Sequence, residues 1–158
     1  MTNNQKLWGL ILFIAMCFLT AGLGAALTSV SIKGWYTTIE KPSFTPPNWV
    51  FPVAWNTLYL LLSFAGWTLW KTLSGQWKNL PLILFVSQLI LNVAWSCLFF
   101  TLQNPMGAFI EICVTVLLAY YTLYLFYLRS KLAGIFMTPY VLWLSFAVVL
   151  NYSIWQLN

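Results

Sequence analysis

Histidine and aspartate are absent from this 158-residue chain, and its only acids are Glu40 and Glu111. No Ser/His/Asp or Cys/His arrangement can be assembled without them, and two glutamates far apart in sequence give no pair for acid–base work. Histidine ligation of zinc or haem is excluded as well. The three cysteines, Cys17, Cys97 and Cys113, stand alone in separate apolar segments. That pattern is neither a disulfide framework nor a zinc spacing, and each reads as a small packing residue. No metal and no cofactor is expected.

Charge of either sign is scarce. Only 6% of residues are charged and 61% are hydrophobic, against about 25% and about 45–50% in ordinary soluble domains. A water-facing surface cannot be built from this composition. The uncharged stretch Leu7 to Ile32 exceeds the roughly 20 apolar residues that cross a hydrocarbon core. Its apolar part is longer than the ~7–15 residues of a signal peptide and carries AGLGAA inside it, so it reads as a retained helix. The formal charge is +5, but the seven basic residues are scattered and form no stripe. Nucleic acid is therefore not an expected partner.

Five apolar segments follow: Leu7 to Val30, Trp49 to Trp70, Leu80 to Phe100, Pro105 to Leu128 and Ala133 to Trp155. They are broken by residues 31–48, by KTLSGQWKN at 71–79, by TLQNP at 101–105 and by RSK at 129–131. These runs are apolar all round, whereas barrel strands alternate apolar and polar. The expected fold is an all-α integral membrane protein, a five-transmembrane-helix bundle forming one domain over residues 1–158. Pro81, Pro105 and Pro139 read as lying at or near helix starts, where a missing amide hydrogen costs little. Pro52 is placed to shape the first turns of the second span.

With five spans, the side of the N-terminus carries Lys6, Lys71, Lys78, Arg129 and Lys131, and the other side only Lys33 and Lys41. The excess of positive charge on cytoplasmic loops puts the N-terminus in the cytoplasm and the first loop outside, with a bacterial cell membrane as the expected location. Trp8, Trp35, Trp49, Trp70, Trp77 and Trp155 fall near span ends, as an interfacial aromatic belt does.

Three features go beyond a generic bundle. Residues 34–52, GWYTTIEKPSFTPPNWVFP, hold four of the seven prolines and one of the two acids. Prolines restrict the backbone, so this loop reads either as a preordered lid or as a stiff connector. The third span carries Gln88, Asn92, Trp95 and Ser96 on one helical face, the fifth carries Tyr140, Trp143, Ala147 and Asn151, and the second adds Trp55 and Tyr59. Amides in hydrocarbon must be satisfied, so these faces point inward, either to bond neighbouring helices or to line a ligand site. Glu111, about 9 Å along its helix from Pro105, is the only acid inside a span and a candidate gating or ligand contact. The small residues Gly22, Ala25 and Ala26 read as a helix-packing surface, with a homodimer seam as the alternative.

WYTTIEKPSFTPPNWVFPVAWNTLY at 35–59, QLILNVAWSCLFF at 88–100 and PYVLWLSFAVVLNYSIW at 139–155 together resemble the tryptophan-rich sensory protein family. That family includes bacterial TspO and the mitochondrial translocator protein, once called the peripheral benzodiazepine receptor. The resemblance covers nearly the whole chain. It implies a receptor-like membrane protein, commonly a homodimer, with a cavity under the first loop that takes protoporphyrin IX, other tetrapyrroles and isoquinoline-carboxamide or benzodiazepine-type drugs. Transport of porphyrin or another amphipathic molecule is the alternative. The ligand-binding residues it implies are Tyr36, Pro46, Trp55, Tyr59, Gln88, Asn92, Trp95, Glu111, Trp143 and Ala147. Trp55 and Trp143 match the pair linked to light-dependent porphyrin breakdown in some bacterial members. One departure stands out: VVLNYSIWQLN has Gln156 where the cholesterol motif of animal members has a basic residue, so no animal-type sterol site is expected there.

Overall fold

The computed structural model describes residues 1–158 as α1 (Asn3–Ser29), α2 (Trp35–Thr38), α3 (Val50–Thr72), α4 (Leu80–Ser96), α5 (Pro105–Arg129) and α6 (Lys131–Leu157). A π-helical turn, Cys97–Thr101, continues α4. Five of these helices are long and apolar enough to cross a membrane, the third of them running from Leu80 through the π turn to Thr101. The expected all-α membrane bundle is what the chain forms, with one short added helix, α2, inside the first loop.

Polar side chains set the helix starts by accepting from otherwise unpaired amides. Thr2 and Gln5 form a reciprocal capping box on α1. Asn79 accepts from the Leu82 amide, Asn104 from the Gly107 amide and Ser130 from the Ala133 amide. Pro81 and Pro105 occupy first turns, as expected. Pro139 does not: it lies inside α6. Ser130, in extended conformation, closes α5 and caps α6 at once, so the connection shrinks to one residue and the helix begins well upstream of the proline.

The spans close into a ring in which α1 lies against α3, α3 against α6, α6 against α5, α5 against α4 and α4 against α1. The half nearest the N-terminus is filled. Phe13 stacks on Trp77 at 5.1 Å and meets Phe85 edge-on at 5.9 Å, and Phe85 stacks on Phe126 at 6.0 Å. Glycines permit this density: a Cβ on Gly66 would lie 2.6 Å from the Phe13 ring, and one on Gly9 2.1 Å from Trp70. The expected packing role of Gly22, Ala25 and Ala26 is not met. All three are exposed, and a Cβ on Gly22 would touch nothing within 4 Å. The spacing of small residues was legible, but which glycines carry rings depends on where Phe13 and Trp70 land.

Candidate functional site

The half of the bundle under the first loop is hollow. A cavity of about 650 Å³ is walled by all five spans and by Tyr36 of the loop. Trp55 and Tyr59 stack at 5.5 Å on α3, the expected i, i+4 pair. Trp143 of α6 stands edge-on to Trp55, ring centroids 6.4 Å apart, and Phe51 closes on Trp143 at 6.2 Å. Two helix faces, of α3 and α6, thus supply one aromatic wall.

The polar wall resolves the two readings of the α4 face. Asn92 donates to the Tyr140 hydroxyl at 2.7 Å and Trp95 donates to Asn151 Oδ1 at 2.8 Å. Asn151 in turn donates to the Pro105 carbonyl at 3.0 Å, tying α4, α6 and the start of α5 together. Asn92, Trp95, Ser96 and Asn151 nevertheless line the cavity as well. Helix bonding and cavity lining are therefore shared by the same side chains, which is how amides are satisfied in hydrocarbon.

Of the residues implied by the resemblance, Tyr36, Trp55, Tyr59, Asn92, Trp95, Glu111, Trp143 and Ala147 border the cavity. Gln88 and Pro46 are not part of its wall. Gln88 sits one turn deeper, buried, with its amide donating to Thr122 Oγ1 at 2.8 Å. Pro46 lies in the loop just before Asn48, which does border the space. Glu111 Oε1 accepts from Thr115 at 2.7 Å, while its Oε2 is buried without a partner. No lysine or arginine borders the cavity, so Glu111 is its one acid among otherwise uncharged walls.

The loop is docked by specific contacts. Ser31 donates to the Phe100 carbonyl at 2.7 Å, and Tyr36 is buried against Phe99 and Phe100 at 6.2 and 5.5 Å between ring centroids. Burial pushes the Tyr36 phenol above its ordinary value, since the anion would lose its hydration. Lys41 turns back on the loop, its Nζ 4.5 Å from the Tyr36 ring centroid and donating to the Ile39 carbonyl at 3.1 Å. At the far end, Asn158 accepts from the Glu40 amide and donates to the Glu40 carbonyl, both at 3.0 Å.

Sequence reasoning missed the α1 wall (Phe18, Gly22, Thr28) and the π-turn residues Phe99 and Phe100. The small residues of α1 were a usable signal for open space rather than for packing. The π turn leaves no pattern in sequence, because it displaces side chains by backbone register alone.

A family model described as the TspO/MBR family matches residues 13–156. Among characterised relatives, the tryptophan-rich protein TspO of Chlorobaculum tepidum is 36% identical over 159 residues, covering 98% of this chain and 99% of that protein. The translocator protein of Sus scrofa is 36% identical over 146 residues, covering 89% and 86% respectively. The tryptophan-rich sensory protein of Cereibacter sphaeroides is 34% identical over 152 residues, covering 96% and 92%.

Proposed function

The chain belongs to the TspO/MBR family, and from that premise we propose that it is a membrane receptor binding protoporphyrin IX and related hydrophobic ligands in the cavity beneath its first loop. Isoquinoline-carboxamide and benzodiazepine-type drugs fall in the same ligand class, and the working form in the bacterial membrane is a homodimer with a cytoplasmic N-terminus. The observation that carries the reading is the paired Trp55 and Trp143 wall on a space of about 650 Å³, inside the ~300–1,000 Å³ range of small-molecule sites. Flat aromatic surfaces with few fixed polar groups suit a planar macrocycle. With light and dioxygen, a porphyrin held against these two indoles is placed for oxidative breakdown.

Transport across the bundle is less well supported. Several relatives bear the name translocator protein, but Phe13, Phe85 and Phe126 fill the half beneath the cavity.

The test is titration of purified protein with protoporphyrin IX in the dark, followed by tryptophan quenching, and then illumination. Saturable quenching that weakens in Trp143→Phe is the expected result, with spectral loss on illumination that also depends on Trp143. Unsaturable quenching, or a variant identical to wild type, would sink the assignment of this cavity.

A further inference from the structure

The loop end and the side of the cavity differ in how well they are closed. Over the top, Tyr36 is buried, Ser31 is bonded to Phe100, and Asn158 holds Glu40 through two hydrogen bonds. Along the side, cavity-lining residues of α1 and α3 are left exposed, whereas none of those on α4, α5 and α6 is. The exposed ones include Gly22, Ala25 and Ser29 on α1, with Pro52 and Asn56 on α3. Exposure clustered on these two neighbouring helices at the cavity's edge is what an opening between them would leave. At Gly22 a Cβ would meet no neighbour within 4 Å. All five positions lie within helices that cross the membrane.

The geometry points to a lateral portal between α1 and α3 through which the cavity takes the uncharged body of a bilayer-dissolved amphiphile directly from the membrane, without the loop opening. This rests on the receptor reading and adds to it the route and charge class of the ligand. The wall supplies the charge argument. It has no cation to meet a buried anion. An anionic substituent brought inside would lose hydration with no cation to offset the loss. Any charged group of the ligand therefore stays at the rim, where Asn56 and Ser29 offer polar side chains near the loop end of the spans. A hydrophobic molecule is concentrated in the bilayer, so a side route also avoids extracting it into water.

The experiment uses the full chain in phosphatidylcholine vesicles, with protoporphyrin dimethyl ester as an uncharged probe read by tryptophan quenching in stopped flow. In a background with Cys17, Cys97 and Cys113 replaced by alanine, Glu40→Cys and Asn158→Cys are joined by a short bis-maleimide to lock the loop shut. Association at the unlocked rate is expected; an arrest of association on locking overturns the portal. Independently, Gly22→Trp places a ring in the opening and is expected to slow association and dissociation together by about tenfold, leaving their ratio close to wild type. Wild-type rates in that variant, or lost affinity with an unchanged association rate, overturn the proposal as well. Failure of the unmodified protein to bind the ester at all would count against the cavity as a ligand site, a separate outcome from failure of the route.

Discussion

The two halves of the bundle are made from the same kinds of residue and do opposite things with them. Near the N-terminus, Phe13, Trp70, Trp77, Phe85 and Phe126 pack ring on ring. Under the loop, Phe51, Trp55, Tyr59 and Trp143 face a space of about 650 Å³. Aromatic content therefore does not decide between core and cavity. The difference lies in what stands beside the rings: Gly9 and Gly66 let the N-terminal rings press onto helix backbone, whereas the loop-side rings border a cavity whose α1 wall includes Gly22. Stability should reside mainly in one half and binding in the other.

Truncating a ring in each half is the strongest way to break that division. Phe85 is 1% exposed and touches Phe13 and Phe126, so Phe85→Ala leaves a void and should cost about 3–5 kcal/mol. Trp143→Ala enlarges an existing cavity without opening a void in the packed core and should cost less than about 2 kcal/mol, yet abolish most ligand quenching. Thermal unfolding in detergent, run beside porphyrin titration, reads both quantities. Equal destabilisation by the two variants would mean that the cavity wall is as structural as the core.

A smaller effect sharpens the boundary between the halves, because Gln88 and Asn92 are one turn apart on α4 and fall on opposite sides of it. Each bonds across to another helix, Gln88 to Thr122 and Asn92 to Tyr140, but only Asn92 borders the cavity. Gln88→Leu also removes Oε1, a buried oxygen without a partner, so stability should stay within about 1 kcal/mol of wild type and ligand affinity should be unchanged. Asn92→Leu should cost a similar amount of stability while lowering affinity roughly threefold to tenfold. Isothermal binding together with unfolding midpoints separates the outcomes, and a porphyrin affinity that responds equally to both would move the cavity floor deeper.

Much of this was legible in the sequence. Apolar runs located the five spans, and the polar or proline-containing breaks between them bounded these runs, because a span cannot continue through them. The faces of α3, α4 and α6 also converged as their spacing implied. Depth along the axis was harder to read: helical periodicity shows which face a residue occupies, and Gln88 shares its face with Asn92 while lying below the cavity. Pro139 was misplaced because a proline more often marks a helix start than an interior, although the apolar run from Ala133 already began six residues before it. The contacts that dock the loop were invisible, since Asn158 and Glu40 are distant in sequence and neither carries a pattern.

That last contact gives the mildest and most specific test of the comparison. The two hydrogen bonds between Asn158 and the Glu40 backbone, each 3.0 Å, lie at an exposed edge where water can replace them. Their loss should therefore affect the loop and neither half of the bundle. Exposed bonds of this kind contribute about 1 kcal/mol, so Asn158→Ala should raise the opening of residues 36–41 roughly fivefold, seen as faster amide hydrogen exchange there with an unchanged unfolding midpoint. Ser31 and Tyr36 remain docked on Phe100, which confines the effect to the Glu40 end. If the ligand arrives between α1 and α3, its association rate in vesicles should not follow the exchange rate; an association rate that rises with it would make the loop, and not the side of the bundle, the working door.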